Sequence, residues 1–439
     1  MAESERIRAD VAVVGAGPAG IAAAVHAAEA GRSVVVIEGL SRPGGQIWRH
    51  RARRDLPRRA WRWLHRLDHS GARLLAGTAV VDAVAGEDGV WLTGERGDET
   101  ILVQAGAAIL ATGARELFLP FPGWTLPGVI GVGGAQALLK AGARFQGLRT
   151  VVAGTGPLLL PVAAALARAG ARVEHLIEQA TRARVTRFAG SLWRTPGKLA
   201  QAAGYRLATL RAPYARGTWV VRAEGTDAVR EVVLTDGRRE RTERCDLLCV
   251  AYGLVPAVEL PRLLGCELHD GFVAVDALQR TSVPNVYCAG EPTGIGGVDA
   301  AILEGNAAGL AAAGGDPLAG APAGRRSAQR DFALLLAETF ALRPELRTLA
   351  RDDTIVCRCE DVELGRLRGY DTLRAAKLAT RAGMGPCQGR VCGAALHELL
   401  GWEADSARPP VFPAAVATFV EAAARVADRL ETDTGDVAS

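Results

Sequence analysis

The sequence has very little lysine. Among 52 lysine and arginine residues, lysine stands only at positions 140, 198 and 377. The positive charge is therefore almost entirely arginine, and the net charge of +4 is small for 439 residues. Nucleic-acid-binding chains gather basic residues into a patch or stripe, whereas an excess of arginine and alanine is what a GC-rich genome produces. A nucleic-acid partner is therefore not expected.

Long apolar segments are also missing. The uncharged run TVVAGTGPLLLPVAAALA from residue 150 is interrupted by glycine and proline. A transmembrane helix needs about 20 consecutive apolar residues. The first ten residues, MAESERIRAD, are polar and do not resemble a secretory signal. We expect a cytoplasmic protein that is not transmembrane, and peripheral association with the inner membrane stays open.

The N-terminal segment DVAVVGAGPAGIAAAVHAAEAGRSVVVIE has the pattern of a dinucleotide-binding unit. A strand-like run precedes Gly15-x-Gly17-x-x-Gly20, and an alanine-rich helix and a second strand follow, ending at Glu38. In such a unit the three glycines permit a tight turn, the approach of a pyrophosphate and close helix–strand packing. The acid about 20 residues further on accepts a hydrogen bond from a ribose 2′-hydroxyl. The sequence therefore predicts a dinucleotide site here.

A weaker copy of the same pattern starts near residue 150. It contains Gly154-x-Gly156, a helix, a strand and a terminal Glu178, but Leu159 stands at the third glycine position. A leucine there should hold the helix away from the strand or distort the turn. The folding unit is expected to be intact but degenerate, and binding of a nicotinamide dinucleotide stays open.

Further strand-like runs that end in glycine turns lie before and after the second unit, and we assign them to the first unit. The predicted fold class is α/β, with two Rossmann-like domains and a small, mostly helical C-terminal domain. A segment rich in glycine, proline and alanine reads as a linker. The expected divisions are a discontinuous first domain at 1–125 and 245–313, an inserted Rossmann domain at 126–244, a linker at 314–327, a helix with a cysteine-rich module at 328–405, and a tail at 406–439.

Four of the eight cysteines lie in two short stretches near the C-terminus. They are Cys357-x-Cys359 in CRCED and Cys387-x4-Cys392 in GMGPCQGRVCG. Four thiolates delivered by two loops are what a 2Fe–2S cluster requires. Structural zinc is the main alternative, although zinc sites more often use cysteines spaced two to four residues apart. Buried, inert thiols are the third possibility for these four residues. We expect the remaining cysteines to be buried and inert, namely Cys245, Cys249, Cys266 and Cys288.

Residues 49–70 interleave arginine with tryptophan. They predict an amphipathic helix with Trp61, Leu64 and Leu67 on one side, either solvated or in contact with a partner chain. His65 and His69 have the spacing of a metal pair, but no third ligand is evident and a metal is not expected. No nucleophile–histidine–acid set or carboxylate pair stands out, so no catalytic residue is assigned.

In order along the chain, the glycine fingerprint, the ATG turn, the inserted Rossmann unit and the late AGE turn resemble flavoproteins of the thioredoxin-reductase-like branch. The resemblance implies FAD in the first domain. Glu291 departs from the usual aspartate, which leaves NAD or ATP open in place of FAD. The inserted domain lacks C-x-x-C, so disulfide reduction is not expected. The implied cofactor contacts are Gly15, Gly17, Gly20, Glu38, Gly44, Gly45, Gln46, Val80, Thr112, Gly113, Gly290 and Glu291.

Several longer motifs narrow this resemblance. They are PGGQIWR, LFLPFPGWTLPGVIGVGGAQALLK and the terminal CRCEDV with GMGPCQGRVCG. Together they resemble the larger subunit of heteromeric amino-acid dehydrogenases, a group that includes hydrogen cyanide synthase, octopine and nopaline oxidases and dye-linked proline and hydroxyproline dehydrogenases. The cysteine stretches resemble the ferredoxin-like module first known from bacterioferritin-associated proteins.

The narrower resemblance implies a relay role in a hetero-oligomer. A β subunit would oxidise proline, hydroxyproline, an opine or glycine on its own FAD, FMN would lie at the boundary between the two subunits, and a small γ subunit could be present. Electrons would leave through the cluster on Cys357, Cys359, Cys387 and Cys392 to a quinone or another acceptor. Two alternatives stay open, a stand-alone NAD(P)H-dependent reductase and a scaffold subunit with a structural adenine nucleotide.

Overall fold

The computed structural model describes residues 5–316, 323–403 and 407–421. Parts of the predicted linker and of the predicted tail lie outside these residues. The chain forms two compact units, the first built from Met1–Ala114, Pro256–Asp331 and Ser406–Ser439, and the second from Arg115–Val255 and Phe332–Asp405. Both units are therefore discontinuous in sequence.

The strands are numbered in chain order. They are β1 (Glu5–Val14), β2 (Val34–Glu38), β3 (Arg73–Ala76), β4 (Ala79–Gly86), β5 (Gly89–Arg96), β6 (Glu99–Leu110), β7 (Ala114–Glu116), β8 (Val129–Gly131), β9 (Arg149–Gly154), β10 (Arg172–Glu178), β11 (Tyr214–Arg216), β12 (Trp219–Glu224), β13 (Glu231–Thr235), β14 (Glu240–Arg244), β15 (Leu247–Ala251), β16 (Leu254–Pro256), β17 (Leu268–His269), β18 (Phe272–Val273), β19 (Val286–Cys288), β20 (Ile355–Cys357) and β21 (Val362–Glu363).

The helices are numbered in the same way. They are α1 (Pro18–Glu29), α2 (Arg58–His69), α3 (Val132–Lys140), α4 (Leu159–Arg168), α5 (Arg182–Ser191), α6 (Pro196–Ala208), α7 (Glu259–Leu263), α8 (Gly297–Ala312), α9 (Ala323–Thr339), α10 (Leu373–Thr380) and α11 (Cys392–Leu400). Within the described residues, no helix has both the length and the apolar character needed to cross a bilayer.

The first unit is organised around β1 and β6. The strand order is β3-β2-β1-β6-β5-β4, and β19 also pairs with β6. Pairing is parallel among β3, β2, β1, β6 and β19, and antiparallel among β6, β5 and β4. Every residue of β2 is buried, as expected for a parallel strand covered on both faces.

The second unit contains its own parallel sheet, in the order β11-β10-β9-β15-β8. An antiparallel sheet, β12-β13-β14, accompanies it. The predicted α/β class with two Rossmann-like domains is thus confirmed. The sequence division placed residues from 245 onward in the first domain, but β15 is fully buried in this second sheet and pairs in parallel with both β9 and β8. The division points therefore move from 125 and 245 to 114 and 255.

The cysteine-rich residues belong to the second unit as well. We call residues 344–403 the cysteine module. Its own core includes Val356, Leu367 and Leu396, while Leu346 packs into the core of the inserted domain. The Trp124 indole N–H donates to the Ile355 carbonyl at 2.6 Å. The predicted division between inserted domain and C-terminal domain therefore does not separate two compact bodies, and α9 begins inside the predicted linker.

The arginine- and tryptophan-rich stretch forms α2, which is shorter than the predicted 49–70. Leu64 and Leu67 are buried against α1 and its neighbours, whereas Trp61 is exposed. Trp61, which we expected on the same side of the helix, is therefore not buried with them. His65 and His69 stack with ring centroids 4.1 Å apart.

Candidate nucleotide sites and cysteine cluster

The loop between β1 and α1 forms a cradle at the end of the strand. Gly15 has a φ of +99°, which a side chain would strain. A Cβ on Gly20 would lie 3.0 Å from the Gly15 carbonyl carbon and closer still to its oxygen, so only glycine allows α1 to approach β1. A Cβ on Gly17 would meet nothing within 4 Å. Open space beside a helix N-terminus suits a pyrophosphate.

Glu38 lies at the end of β2 with its carboxylate held against the loop. One oxygen accepts from Ala16 N at 2.7 Å and the other from Leu40 N at 2.8 Å. Burial raises the pKa of Glu38 despite these bonds. A carboxylate offers about four acceptor positions, so two backbone bonds leave capacity for ribose hydroxyls.

The 44–46 loop lies directly against the fingerprint loop. Gly44 N donates to the Ala16 carbonyl at 2.7 Å, and a Cβ on Gly45 would lie 3.0 Å from the Gly17 Cα. Gln46 follows at the surface, and the buried Trp48 anchors the loop in the core. The structure thus brings together two motifs that are far apart in sequence.

Val80 and the ATG turn lie at other edges of the same unit. Val80 lies in β4 with its side chain buried, and the backbone contact that the resemblance implies stays a prediction. Thr112 and Gly113 follow β6, where the Thr112 hydroxyl donates to the Ala257 carbonyl at 2.6 Å. Ala257 N in turn donates to the Gly113 carbonyl at 2.9 Å. These bonds hold the turn in place at the end of the strand.

Gly290 is fixed by a residue that the sequence did not reveal. Glu304, in the middle of α8, accepts from Gly290 N at 2.8 Å and from the Thr293 hydroxyl at 3.1 Å. Burial raises the pKa of Glu304 to about 7. The signal in the sequence was weak: a single acid within the otherwise alanine- and glycine-rich run AAILEGNAAG.

Glu291 folds back onto the N-terminus of α8. One carboxylate oxygen accepts from Gly297 N at 3.1 Å, while the other is buried without a hydrogen-bond partner among the described residues. Burial raises its pKa to about 7, and the bonds from the Gly297 and Gly296 N–H groups only partly oppose this. A ligand that reached this helix N-terminus would therefore meet the Glu291 carboxyl group there.

The four clustered cysteines come together as two pairs. Cys357 ends β20, Cys392 begins α11, and the Cys392 thiol donates to the Cys357 sulfur, which also accepts from Gly383 N at 3.4 Å. These bonds lower the pKa of Cys357 below the usual range of a thiol. Cys359, which is exposed, is hydrogen-bonded to Cys387.

The loops that carry these thiols pack closely against each other. A Cβ on Gly385 would overlap Cys359, so this glycine lets the two loops approach each other. Among the described residues, no group of three or more histidine, cysteine or acidic side chains has the arrangement of a metal site. The iron–sulfur assignment therefore stays a prediction. The other four cysteines, Cys245, Cys249, Cys266 and Cys288, are buried, as expected.

Comparison with known proteins identifies relatives over most of the chain. The family described as pyridine nucleotide-disulphide oxidoreductase matches residues 9–305. Hydrogen cyanide synthase subunit HcnB of Pseudomonas aeruginosa is 33% identical over 87% of this chain and 90% of its own length. An opine oxidase subunit of Rhizobium meliloti is 35% identical over 92% of this chain and 96% of its own length.

Solved structures agree on the fold. L-proline dehydrogenase from P. horikoshii superposes with a TM-score of 0.67 at 21% identity, covering 95% of this chain and 80% of that one. Thioredoxin reductase from T. acidophilum gives a TM-score of 0.55 at 23% identity, covering 70% of this chain and 98% of that one. The chain therefore belongs to the pyridine nucleotide-disulphide oxidoreductase family, together with HcnB and its opine oxidase relatives.

Proposed function

We propose that this chain is the electron-transfer subunit of a heteromeric, flavin-dependent amino-acid dehydrogenase. Membership in its family implies a flavin cofactor. The observation that carries the rest is the combination, in one chain, of an open glycine loop at Gly17 with two hydrogen-bonded thiol pairs, Cys357 with Cys392 and Cys359 with Cys387. That both similar proteins are named as subunits supports a partner chain.

The first unit supplies the residues that would hold FAD. The α1 N-terminus faces the open space at Gly17, and Glu38 is oriented by Ala16 and Leu40 toward a ribose. The remaining contacts would come from Gly44, Gly45, Gln46, Val80, Thr112, Gly113 and Gly290. When bound, the flavin supplies two-electron chemistry and a 2Fe–2S cluster one-electron chemistry, which together join a hydride donor to a single-electron acceptor.

Within the cysteine module, the chain's own contribution is to present sulfur atoms and backbone donors. The Gly383 N–H that donates to the Cys357 sulfur is the type of bond that stabilises a thiolate and tunes a cluster's potential. A hydrogen-bonded, low-pKa thiol is also the form that releases its proton on metal binding. Structural zinc would use the same four sulfur atoms, and metal analysis distinguishes the two.

The proposed substrates are amino acids or their N-substituted derivatives, such as proline, hydroxyproline, an opine or glycine, and they bind in the partner. In this assignment the partner is an amine-oxidising β subunit, with FMN at the boundary and a quinone or similar acceptor. The described residues of this chain provide binding and orientation, and we assign none of them as a general base.

A scaffold role with a structural adenine nucleotide is the second candidate. Glu291 favours it, because its carboxyl group covers the α8 N-terminus where the resemblance would bring a ribityl chain. A purified complex that contains ATP or NAD and no flavin in this chain would establish the scaffold role in place of the relay.

The test compares two cysteine variants of the co-expressed complex. Cys387→Ser should remove the iron–sulfur part of the visible absorption, leave the flavin bands and lower the iron content, whereas the matched control Cys288→Ser, at a buried cysteine of the first unit, should leave all three unchanged. Reduction of the wild-type absorption by an amino acid, and not by NADH, is the expected result. Rapid reduction by NADH of the chain alone, or iron unaffected by Cys387→Ser, would overturn the relay assignment.

A further inference from the structure

Another segment of this chain lies at the nucleotide cleft of the second Rossmann unit. A dinucleotide lies outside the carboxyl ends of the central parallel strands in this fold. At those ends, Thr155 follows β9 and Gln179 follows β10, and both side chains bind the chain segment after α9. The Thr155 hydroxyl donates to the Phe340 carbonyl at 3.0 Å. The Gln179 amide donates to the Ala341 carbonyl at 3.0 Å.

Gln179 uses its whole amide group on this contact. Its nitrogen also donates to the Thr155 hydroxyl at 2.8 Å, and its oxygen accepts from Arg343 N at 3.1 Å. Gln179 is completely buried and Thr155 nearly so. A buried amide with its donor and acceptor both satisfied is costly to separate from its partners. Residues 340–343, which we call the docking segment, are therefore tightly held.

Aromatic contacts hold the docking segment on both sides. The Phe340 ring meets the Phe188 ring of α5 edge-on, with centroids 5.2 Å apart. The Arg343 guanidinium lies 4.1 Å from the centre of the Trp219 ring. Contacts of these two types are attractive and depend on ring geometry. The segment is thus fixed at each end as well as along its backbone.

The glycine loop of this unit is also altered. The Gly156 N–H, which would face a pyrophosphate, donates instead to Glu178 at 3.0 Å. Leu159 is fully buried at the third glycine position, and α4 begins only at this residue. In the first unit, by contrast, α1 begins at Pro18, directly after the second glycine. The second loop therefore presents its helix N-terminus later in the chain.

We propose that the second Rossmann cleft is the docking site of the cysteine module, and that it takes residues 340–343 of this chain in place of a nicotinamide dinucleotide. Thr155 and Gln179 are positioning residues: they fix the point from which the chain runs through Leu346 and Ile355 to the cysteines. This inference rests on contacts inside the second unit and does not depend on the proposed function.

The test uses hydrogen–deuterium exchange of the full-length chain. Gln179→Ala removes three hydrogen bonds, so amide exchange in residues 340–357 should accelerate roughly tenfold. Gln201→Ala is the matched control, because Gln201 is an exposed glutamine of α6 whose amide donates to the Tyr205 hydroxyl of the same helix. Exchange in β13 serves as the internal reference for global stability.

Two results would overturn the proposal. One is unchanged exchange of residues 340–357 in Gln179→Ala. The other is binding of NADH or NADPH, with a micromolar Kd in calorimetry, to the Gly17→Ala chain, in which a methyl group occupies the open space of the first unit's glycine loop. Should Gln179→Ala fail to fold, Gln179→Glu decides the question. This variant keeps the acceptor for Arg343 N and loses the donor to the Ala341 carbonyl. The exchange rate of residues 340–357 should therefore lie above that of the wild type and below that of a chain in which the segment is fully undocked.

Discussion

Replacing Gly20 by alanine should destabilise the first unit. The new methyl group would lie 3.3 Å from the Ala111 Cβ and inside contact distance of the Gly15 carbonyl. Neither neighbour can move freely, because Gly15 N donates to Ile37 O and Ala111 N to Val14 O, each at 2.8 Å. The helix must therefore move instead.

The magnitude follows from this overlap. Adding a methyl group to a packed core costs about 1–3 kcal/mol, and an overlap with backbone belongs at the upper end of that range. Alanine's better helix propensity returns up to about 1 kcal/mol. The net loss of about 2 kcal/mol corresponds to a fall in Tm of roughly 4–8 °C for a unit of this size.

Gly17→Ala is the matched control. Its methyl group would meet nothing within 4 Å, and Gly17 has a φ of −75°, which alanine adopts without strain. As an N-cap, alanine costs about 1 kcal/mol or less relative to glycine. The methyl group would, however, occupy the space expected for the pyrophosphate. Gly17→Ala should therefore keep most of its stability and lose flavin.

The assay pairs two measurements on each variant: thermal unfolding of the ligand-free chain, and the flavin-to-protein absorbance ratio of the chain as purified. Gly20→Ala should lose Tm, and Gly17→Ala should lose flavin at nearly unchanged Tm. A wild-type Tm for Gly20→Ala would refute the packing argument. Full flavin content in Gly17→Ala would refute the placement of the pyrophosphate.

Three further predictions concern side chains elsewhere. Burial raises the pKa of Glu291 from 4.5 to about 7, so its ionisation costs stability as pH rises through that interval. In thermal melts of the ligand-free chain, Glu291→Gln should remove this decline in Tm between pH 5 and 8. A Tm profile of the variant that runs parallel to that of the wild type would contradict the prediction. Arg149 holds the pKa of Asp246 at about 2, so the stabilisation is present above pH 4 and is lost as pH falls toward 2. Asp246→Asn should lower Tm at pH 7 and converge with wild type in acid; a constant difference would refute the ion pair. Trp124→Phe loses the bond to Ile355 and should cost about 1 kcal/mol in urea unfolding, whereas an unchanged midpoint would show that the bond is not stabilising.

The dinucleotide fingerprint was predictable because its determinants are local. Gly15, Gly17, Gly20 and Glu38 lie within one strand–helix–strand unit, and the structure brings them to one edge of the sheet. The second copy was predictable for the same reason. Leu159, at the third glycine position, indicated that its loop is altered. The roles of the individual residues toward a cofactor remain predictions.

What the sequence could not supply depends on long-range contacts. The strand β15 is equally compatible with either sheet by its apolar pattern, and only pairing with β9 and β8 decides. Glu304 reads as an ordinary residue of a helix until it meets Gly290. Gln179 reaches the docking segment across about 160 residues of chain. Such pairings are set by packing in three dimensions and leave no periodic trace in the sequence.

The nested order of the two units has a consequence for biosynthesis. The parallel sheet of the second unit has all its strands once β15 has been synthesised, whereas the first unit still lacks β19 and α8. On the ribosome, the inserted sheet can therefore fold while strands β1 to β6 are still incomplete as a unit. At that stage α1 lacks α8, the helix that packs against it. The N-terminal half of the first unit is thus the part of the nascent chain that most needs protection from aggregation.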